Sequence, residues 1–300
     1  MTWSPTFAAV QWKFLRKADG HTMKAANLFD VSGLVTIVTG GASGIGYGCA
    51  EAMVDNGALV TLIDLDREGL NQAVVRLTPR GIVAGELADV TDIEGLFRAF
   101  DAVAAWHGRI DVVFANAGIS AGPSFLGTNG TRNPNTAFEN IPADLWDRVL
   151  AVNLTSLLRT LQLAAKHMRP RRSGRIIVTS SVSASKTETY VAAAYVPAKA
   201  GVAHLVRQAA LELARDNVQV NAIAPGPVET NIGGGRLRDA STQAFFARLC
   251  PMGRIGFPDD IQGAALFLSS PASSFITGAE IVIDGGVLLG HTGETSPSLD

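Results

Sequence analysis

The chain has 300 residues, of which 47% are apolar and 17% charged, and its formal net charge is −2. So much apolar side chain with so little charge excludes disorder over most of the length. The near-neutral balance leaves no electrostatic footprint for nucleic acid. Two cysteines, Cys49 and Cys250, are too few for a disulfide framework or a cysteine metal cluster, which fits a reducing compartment. No apolar run approaches the ~20 residues of a membrane span.

Residues 1–30 mix Trp, Phe, Lys and Arg without a sustained period and read as a flexible N-terminal extension. Lys13, Arg16 and Lys17 precede the first acid, Asp19, which leaves a mitochondrial alternative to the cytoplasmic localisation we expect. Residues 31–289 form one domain on this reading, and 290–300 a polar tail.

Within the domain, short β-branched apolar runs alternate with stretches of helical period. Strands are expected at 34–39, 58–63, 81–85, 111–115, 175–179, 218–223 and 280–283. Helices are expected after the first strand and at 92–106, 143–168, 198–215, 240–249 and 259–268. Apolar strands without alternation are covered on both faces, and βαβ order means parallel pairing with right-handed crossovers. The predicted fold is α/β, a Rossmann-type doubly wound sheet of about seven parallel strands with helices on both faces.

The first strand runs into Thr39-Gly40-Gly41-Ala42-Ser43-Gly44-Ile45-Gly46. Glycines at such a strand–helix turn allow a tight turn, close backbone approach to a pyrophosphate, and packing of helix on sheet. The free N–H groups of the helix N-terminus then face the anion. Gly40, Ser43, Gly44, Ile45 and Gly46 are therefore candidate cofactor contacts. Asp64 ends the second strand, where a carboxylate accepts hydrogen bonds from ribose hydroxyls and repels a 2′-phosphate. The expected cofactor is NAD, with NADP as the alternative; Arg67 is the nearby residue that would favour the latter.

The TGxxxGxG spacing, with Tyr195-Val196-Pro197-Ala198-Lys199, resembles the short-chain dehydrogenase/reductase family. Further segments follow in the family's order: Asp89-Val90, Asn116-Ala117-Gly118, Asn153, Ser180-Ser181, Asn221 with Pro225-Gly226, Val228 and Thr230, and Asp284-Gly285-Gly286. The opening FDVSGLVTIVTGGASGIG is similar to fungal members. The resemblance implies a homo-oligomer, a tetramer or dimer. It also implies cofactor contacts at Asp89, Val90, Asn116, Ala117, Gly118, Pro225, Gly226, Val228 and Thr230, with Lys199 on the nicotinamide ribose. Asn153 would order a proton-relay water, and Ser181 would steady the substrate oxygen.

Tyr195 and Lys199 stand at i and i+4, one helical turn apart, so the ammonium favours the phenolate of an otherwise weak acid. Tyr195 is the candidate general acid for ketone reduction and general base for alcohol oxidation. The expected function is NAD(H)-dependent interconversion of a secondary alcohol and a ketone. The alternatives are an NADPH-dependent ketoreductase of natural-product biosynthesis, a cyclase or dehydratase on the same fold, and a redox sensor without turnover. The partner is a small alcohol or ketone, with neither nucleic acid nor membrane. The histidines lack HExxH spacing, and no metal is expected.

Residues 121–140, rich in Gly, Asn, Thr and Pro, form a long loop leaving the ligand-binding edge of the sheet. Phe125, Leu126 and Phe138 from this loop, Tyr190, and Phe245 and Phe246 from a lid over 229–246 are the expected pocket walls. Such walls, apolar and uncharged, suit a bulky neutral substrate. Gly118-Ile119-Ser120-Ala121-Gly122 fits the GxSxG pattern of serine hydrolases, which requires entry into a helix; Pro123 and a loop follow instead. Trp106 and Trp146 are expected to pack.

Overall fold

The computed structural model describes residues 24–290 with 121 and 123 excepted; the flexible extension expected over 1–30 and the polar tail expected over 290–300 lie outside the described residues at 1–23 and 291–300. Seven strands form one parallel sheet among the described residues: β1 Val35–Thr39, β2 Leu59–Asp64, β3 Val83–Leu87, β4 Val112–Ala115, β5 Gly174–Thr179, β6 Val218–Pro225 and β7 Glu280–Ile283. Their order across the sheet is β3-β2-β1-β4-β5-β6-β7. A short α1, Ala25–Leu28, precedes them. The crossovers carry α2 Gly44–Asp55, α3 Arg67–Leu77, α4 Ile93–His107, α5 Ala143–Leu150, α6 Ser156–Met168, α7 Tyr195–Leu213, α8 Ala240–Leu249 and α9 Asp259–Ser269. None of the described helices is long and apolar enough to cross a membrane.

The lack of alternation in the strands has its reason in two cores. Ile37, Val113, Ile176 and Val220 face α4, α6 and α7, while Val38, Val112, Phe114 and Ile177 face α2, α3 and α9. Successive side chains point to opposite faces, and both faces are dry, so every position wants to be apolar. The stripe Val202, Leu205, Val206, Ala209 and Leu213 of α7 packs on this sheet.

Three elements depart from the sequence reading. Helix α3 was not expected, because only Leu70, Ala73 and Leu77 of it are buried; Asp66 caps it by accepting from the Gly69 N–H at 3.1 Å. The helix expected over 143–168 is interrupted by a π-helical turn, Ala151–Thr155, which inserts Asn153 into the interior. Helix α7 begins at Tyr195, so Pro197 falls in the first turn, where its missing N–H costs nothing. Trp106 does not pack as expected: it is 70% exposed and stacks on His107.

The chain order reverses between β1 and β4, which opens a crevice at the carboxyl ends of the strands. Asn116 ties the crevice together. Its Nδ2 donates to Thr39 O at 3.2 Å and Gly40 O at 3.1 Å, and its Oδ1 accepts from Thr179 Oγ1 at 2.9 Å. One amide thus holds the ends of β1, β4 and β5. Asn116→Ala leaves those groups unpaired and should lower the unfolding free energy by about 2–4 kcal/mol in denaturant titration; an unchanged midpoint would remove Asn116 from this role.

Candidate active site

A cavity of about 1270 Å³ runs along the carboxyl edge of the sheet. One end is lined by Asp64 at the end of β2 and Leu65 beyond it, and by Asp89, Val90 and Thr91 after β3. The glycine loop contributes Gly40, Ser43, Gly44 and Ile45; Asn116, Ala117 and Gly118 follow β4. The other end carries Ser181, Tyr190, Tyr195 and Lys199, with Pro225, Gly226, Val228 and Thr230 after β6.

The glycine loop is built for an anion. Helices α3, α4 and α8 are capped by the carboxylates of Asp66, Asp92 and Asp239, whereas Ser43 makes no side-chain cap on α2. The first-turn N–H groups of α2 are therefore left for a ligand, at the positive end of the helix dipole. Gly46 does not line the cavity but makes the turn possible: a Cβ there would overlap the Gly40 carbonyl oxygen and Asn116 Nδ2. Asp64 accepts the Ala42 N–H at 3.0 Å through Oδ2 and the Asp66 N–H at 3.1 Å through Oδ1, which aims its carboxylate while leaving acceptor sites open. Arg67 is exposed and is not among the residues lining the cavity. Thr230 packs on Gly44: a Cβ there would stand 3.1 Å from the threonine methyl group. These residues fit a nicotinamide dinucleotide.

At the other end, Ser181 follows β5; its hydroxyl accepts the Ser183 N–H at 3.1 Å and stands close enough to the Tyr195 phenol to favour the phenolate. Lys199 Nζ lies 5.6 Å from the Tyr195 ring centroid and donates to the Thr179 carbonyl at 2.7 Å. Burial pushes the Tyr195 phenol up to about 12, opposed by the Ser181 hydrogen bond, and Glu188 adds repulsion. Burial also pulls the Lys199 ammonium down to about 8. The expected acidification of the phenol by its neighbour is thus outweighed by desolvation, and Tyr195 is protonated across the neutral range.

Asn153 is 2% exposed and does not line the cavity. Its Oδ1 accepts the Ile119 N–H at 2.8 Å and its Nδ2 donates to the Ile119 carbonyl at 2.7 Å, so its amide holds the loop after β4 in place.

The expected walls are only partly brought together. Tyr190 and Phe246 line the cavity, but Phe125, Leu126, Phe138 and Phe245 do not. Phe138 is 86% exposed, on a loop that folds on itself through an antiparallel bridge between Leu126 and Arg132. Phe245 is buried behind the wall against Tyr190 and Phe246, and Phe246 supplies the lining ring. Nor are the walls uncharged. Arg148 of α5, Lys186, Glu188 and Arg236 line the cavity, residues that sequence reasoning missed because nothing local marks a single charge as inward-facing. Among the described residues after Gly118, the next helical turn is at Pro134–Thr136.

The chain matches, over residues 40–288, the family model described as enoyl-(acyl carrier protein) reductase. It is 33% identical over 264 residues to 5-keto-D-gluconate 5-reductase of Escherichia coli, covering 88% of this chain and 98% of that protein. It is 34% identical over 253 residues to cis-4-hydroxycyclohexanecarboxylate dehydrogenase of Sinomonas cyclohexanicum, covering 84% and 95%. Among solved structures, the RhlG/NADP active-site complex of Pseudomonas aeruginosa superposes with a TM-score of 0.79 at 30% identity, covering 87% of this chain and 98% of that one.

Lys199 gives the site a pH signature. Its pKa is lower folded than unfolded, so the unfolded state binds the extra proton between about 8 and the ordinary lysine value of 10.5. Stability attributable to Lys199 must rise across that window, as the buried ammonium's penalty is relieved. Relative to Lys199→Met, the wild type should gain unfolding free energy from pH 8 to 10.5; a pH-independent difference would contradict the burial of a charged lysine.

Proposed function

Because the chain belongs to the short-chain dehydrogenase/reductase family, enzymes that use nicotinamide dinucleotides to act on CH–OH groups, we propose that it interconverts a ketone and a secondary alcohol with Tyr195 as proton donor and acceptor, and with NAD(H) preferred over NADP(H). The observation that carries the reading is the convergence of Ser181, Tyr195 and Lys199 in the cavity that the glycine loop also lines.

The cofactor, when bound, supplies the hydride chemistry at the carbinol carbon. The glycine loop and the α2 N-terminus would hold its pyrophosphate, Asp64 the adenosine ribose, and Lys199 the nicotinamide ribose. Tyr195, protonated at neutral pH, gives its proton to the carbonyl oxygen during reduction. Ser181 donates a hydrogen bond to that oxygen as charge develops on it. In oxidation the phenol must first lose its proton, and both the Ser181 hydroxyl and the nearby ammonium would favour the phenolate. Asn153 acts by holding both backbone groups of Ile119 in the loop after β4.

Asp64 supports NAD(H): its carboxylate at the end of β2 would meet a 2′-phosphate with like charge, and Arg67 is not placed to offset it. Cys49 and Cys250, buried free thiols, agree with a reducing cytoplasm. Exposed Leu158 on α6 and Leu211 on α7 are consistent with a homo-oligomer formed through those helices.

The test is a panel of ketones and secondary alcohols followed at the nicotinamide absorbance with NAD(H) and NADP(H) in parallel. Turnover with NADH ahead of NADPH is expected, and Asp64→Ala should raise the NADPH-to-NADH ratio of kcat/KM about tenfold or more. No turnover with either cofactor, or an unchanged ratio in the variant, would contradict the respective part of the reading.

A further inference from the structure

Among the described residues, neither guanidinium of the wall, exposed Arg148 or half-buried Arg236, has a counter-charge, and it is Arg236 that is taken out of water. Arg236 is half-buried on the segment Ile232–Arg238, where Gly233, Gly234 and Gly235 hold φ of 63°, 75° and 72° in succession. That left-handed run, strained for any other residue, turns the chain so that Arg236 lines the cavity. A Cβ on Gly233 would lie 3.8 Å from Arg236 Nε and 3.9 Å from the side chain of Ser120, which places the guanidinium near the loop after β4. Its Cζ stands 5.7 Å from the centre of the Phe246 ring, an apolar floor.

Among the described residues, the Arg236 side chain makes no hydrogen bond or ion pair; the Phe246 ring is its one recorded contact of a polar kind. The lining carboxylates are engaged elsewhere: Glu188 with Lys186 at 3.5 Å, Asp64 with the N–H groups of Ala42 and Asp66, and Asp89 with Thr91. Burial of the guanidinium lowers its affinity for a proton, the mark of a charge taken from water without compensation. Such a group is costly unless something anionic completes it, and a guanidinium is shaped for a carboxylate or another oxyanion.

We propose that Arg236 binds an anionic group, in the first instance a carboxylate, carried by the substrate away from its reacting carbon, so that the substrates are oxo and hydroxy acids. This rests on the alcohol–ketone reading of Tyr195 and adds the substrate class. It replaces the neutral substrate expected from apolar walls. The pyrophosphate is the less fitting partner, since it is Thr230, six residues earlier, that packs on Gly44, whereas Arg236 stands by Ser120 and Phe246.

The experiment compares 4-oxocyclohexanecarboxylate with its methyl ester in wild type, Arg236→Gln and Arg236→Lys, alongside NADH affinity. Wild type should favour the acid in kcat/KM by about 10- to 100-fold. Arg236→Gln should erase most of that preference through the KM of the acid, and Arg236→Lys should retain part of it, keeping the charge without the planar fork. No acid preference in wild type, or an equal one in Arg236→Gln, overturns the proposal while ester turnover leaves the alcohol–ketone reading standing. A loss of NADH affinity in Arg236→Gln matching the rise in KM also overturns it, assigning the residue to the cofactor's phosphates. Should neither ketone turn over, calorimetry on the enzyme–NADH complex decides the anionic subsite by itself: tighter binding of acid than ester, dependent on Arg236, supports it, and equal or undetectable binding of both overturns it.

Discussion

The site depends on an ammonium buried where water cannot solvate it. Lys199 is 4% exposed, and its recorded hydrogen bond is to the Thr179 carbonyl at the end of β5. A charge held in this way costs free energy to bury and in return exerts its field over a few ångströms with little screening. One helical turn back stands the Tyr195 phenol, which burial alone would keep protonated, its ring centroid 5.6 Å from that ammonium. The fold therefore sets two desolvation effects against each other: a tyrosine made a poorer acid and a lysine made a more readily neutralised base, side by side. Reduction can use the pair as it stands, because the phenol already carries the proton it must give.

That pairing is possible because the sheet supplies a rigid edge. Thr179 serves twice, its carbonyl holding Lys199 and its hydroxyl donating to Asn116, which in turn fixes the ends of β1 and β4. Asn153 extends the same logic to the loop after β4 by binding both backbone groups of Ile119. The polar side chains at the crevice are thus spent largely on fixing backbone, and the donors left open include those of the α2 N-terminus, the phenol and the guanidinium groups of Arg148 and Arg236. Rigid scaffolding with a few unspent groups is the physical form of a binding site.

Strands were legible because a two-sided core demands unbroken apolar runs, and the glycine loop because local backbone geometry demands glycine. Tyr195 and Lys199 were legible because their segment resembles the family's YxxxK, and helical spacing at i and i+4 explains why the two residues meet. Helix α3 escaped notice since three buried side chains among eleven residues make a faint stripe, although Asp66 followed by Leu70, Ala73 and Leu77 carries the signal. The π turn at Asn153 has no periodic signature. Phe125 and Phe138 were misplaced because an aromatic residue in a loop says nothing of which way the loop folds, and that loop closes on itself rather than over the cavity. Arg236 shows the converse: its three preceding glycines mark a turn, but the absence of a counter-charge exists only in three dimensions.

The central claim is that the proton on Tyr195 is the one delivered to the substrate oxygen. Single-turnover oxidation of bound NADH by a ketone substrate, in wild type and Tyr195→Phe, tests it directly, because the substitution removes one oxygen and leaves the ring. The account predicts a rate lower by about two to four orders of magnitude with NADH affinity preserved. A rate within a few-fold of wild type, with the nucleotide bound as before, would contradict it.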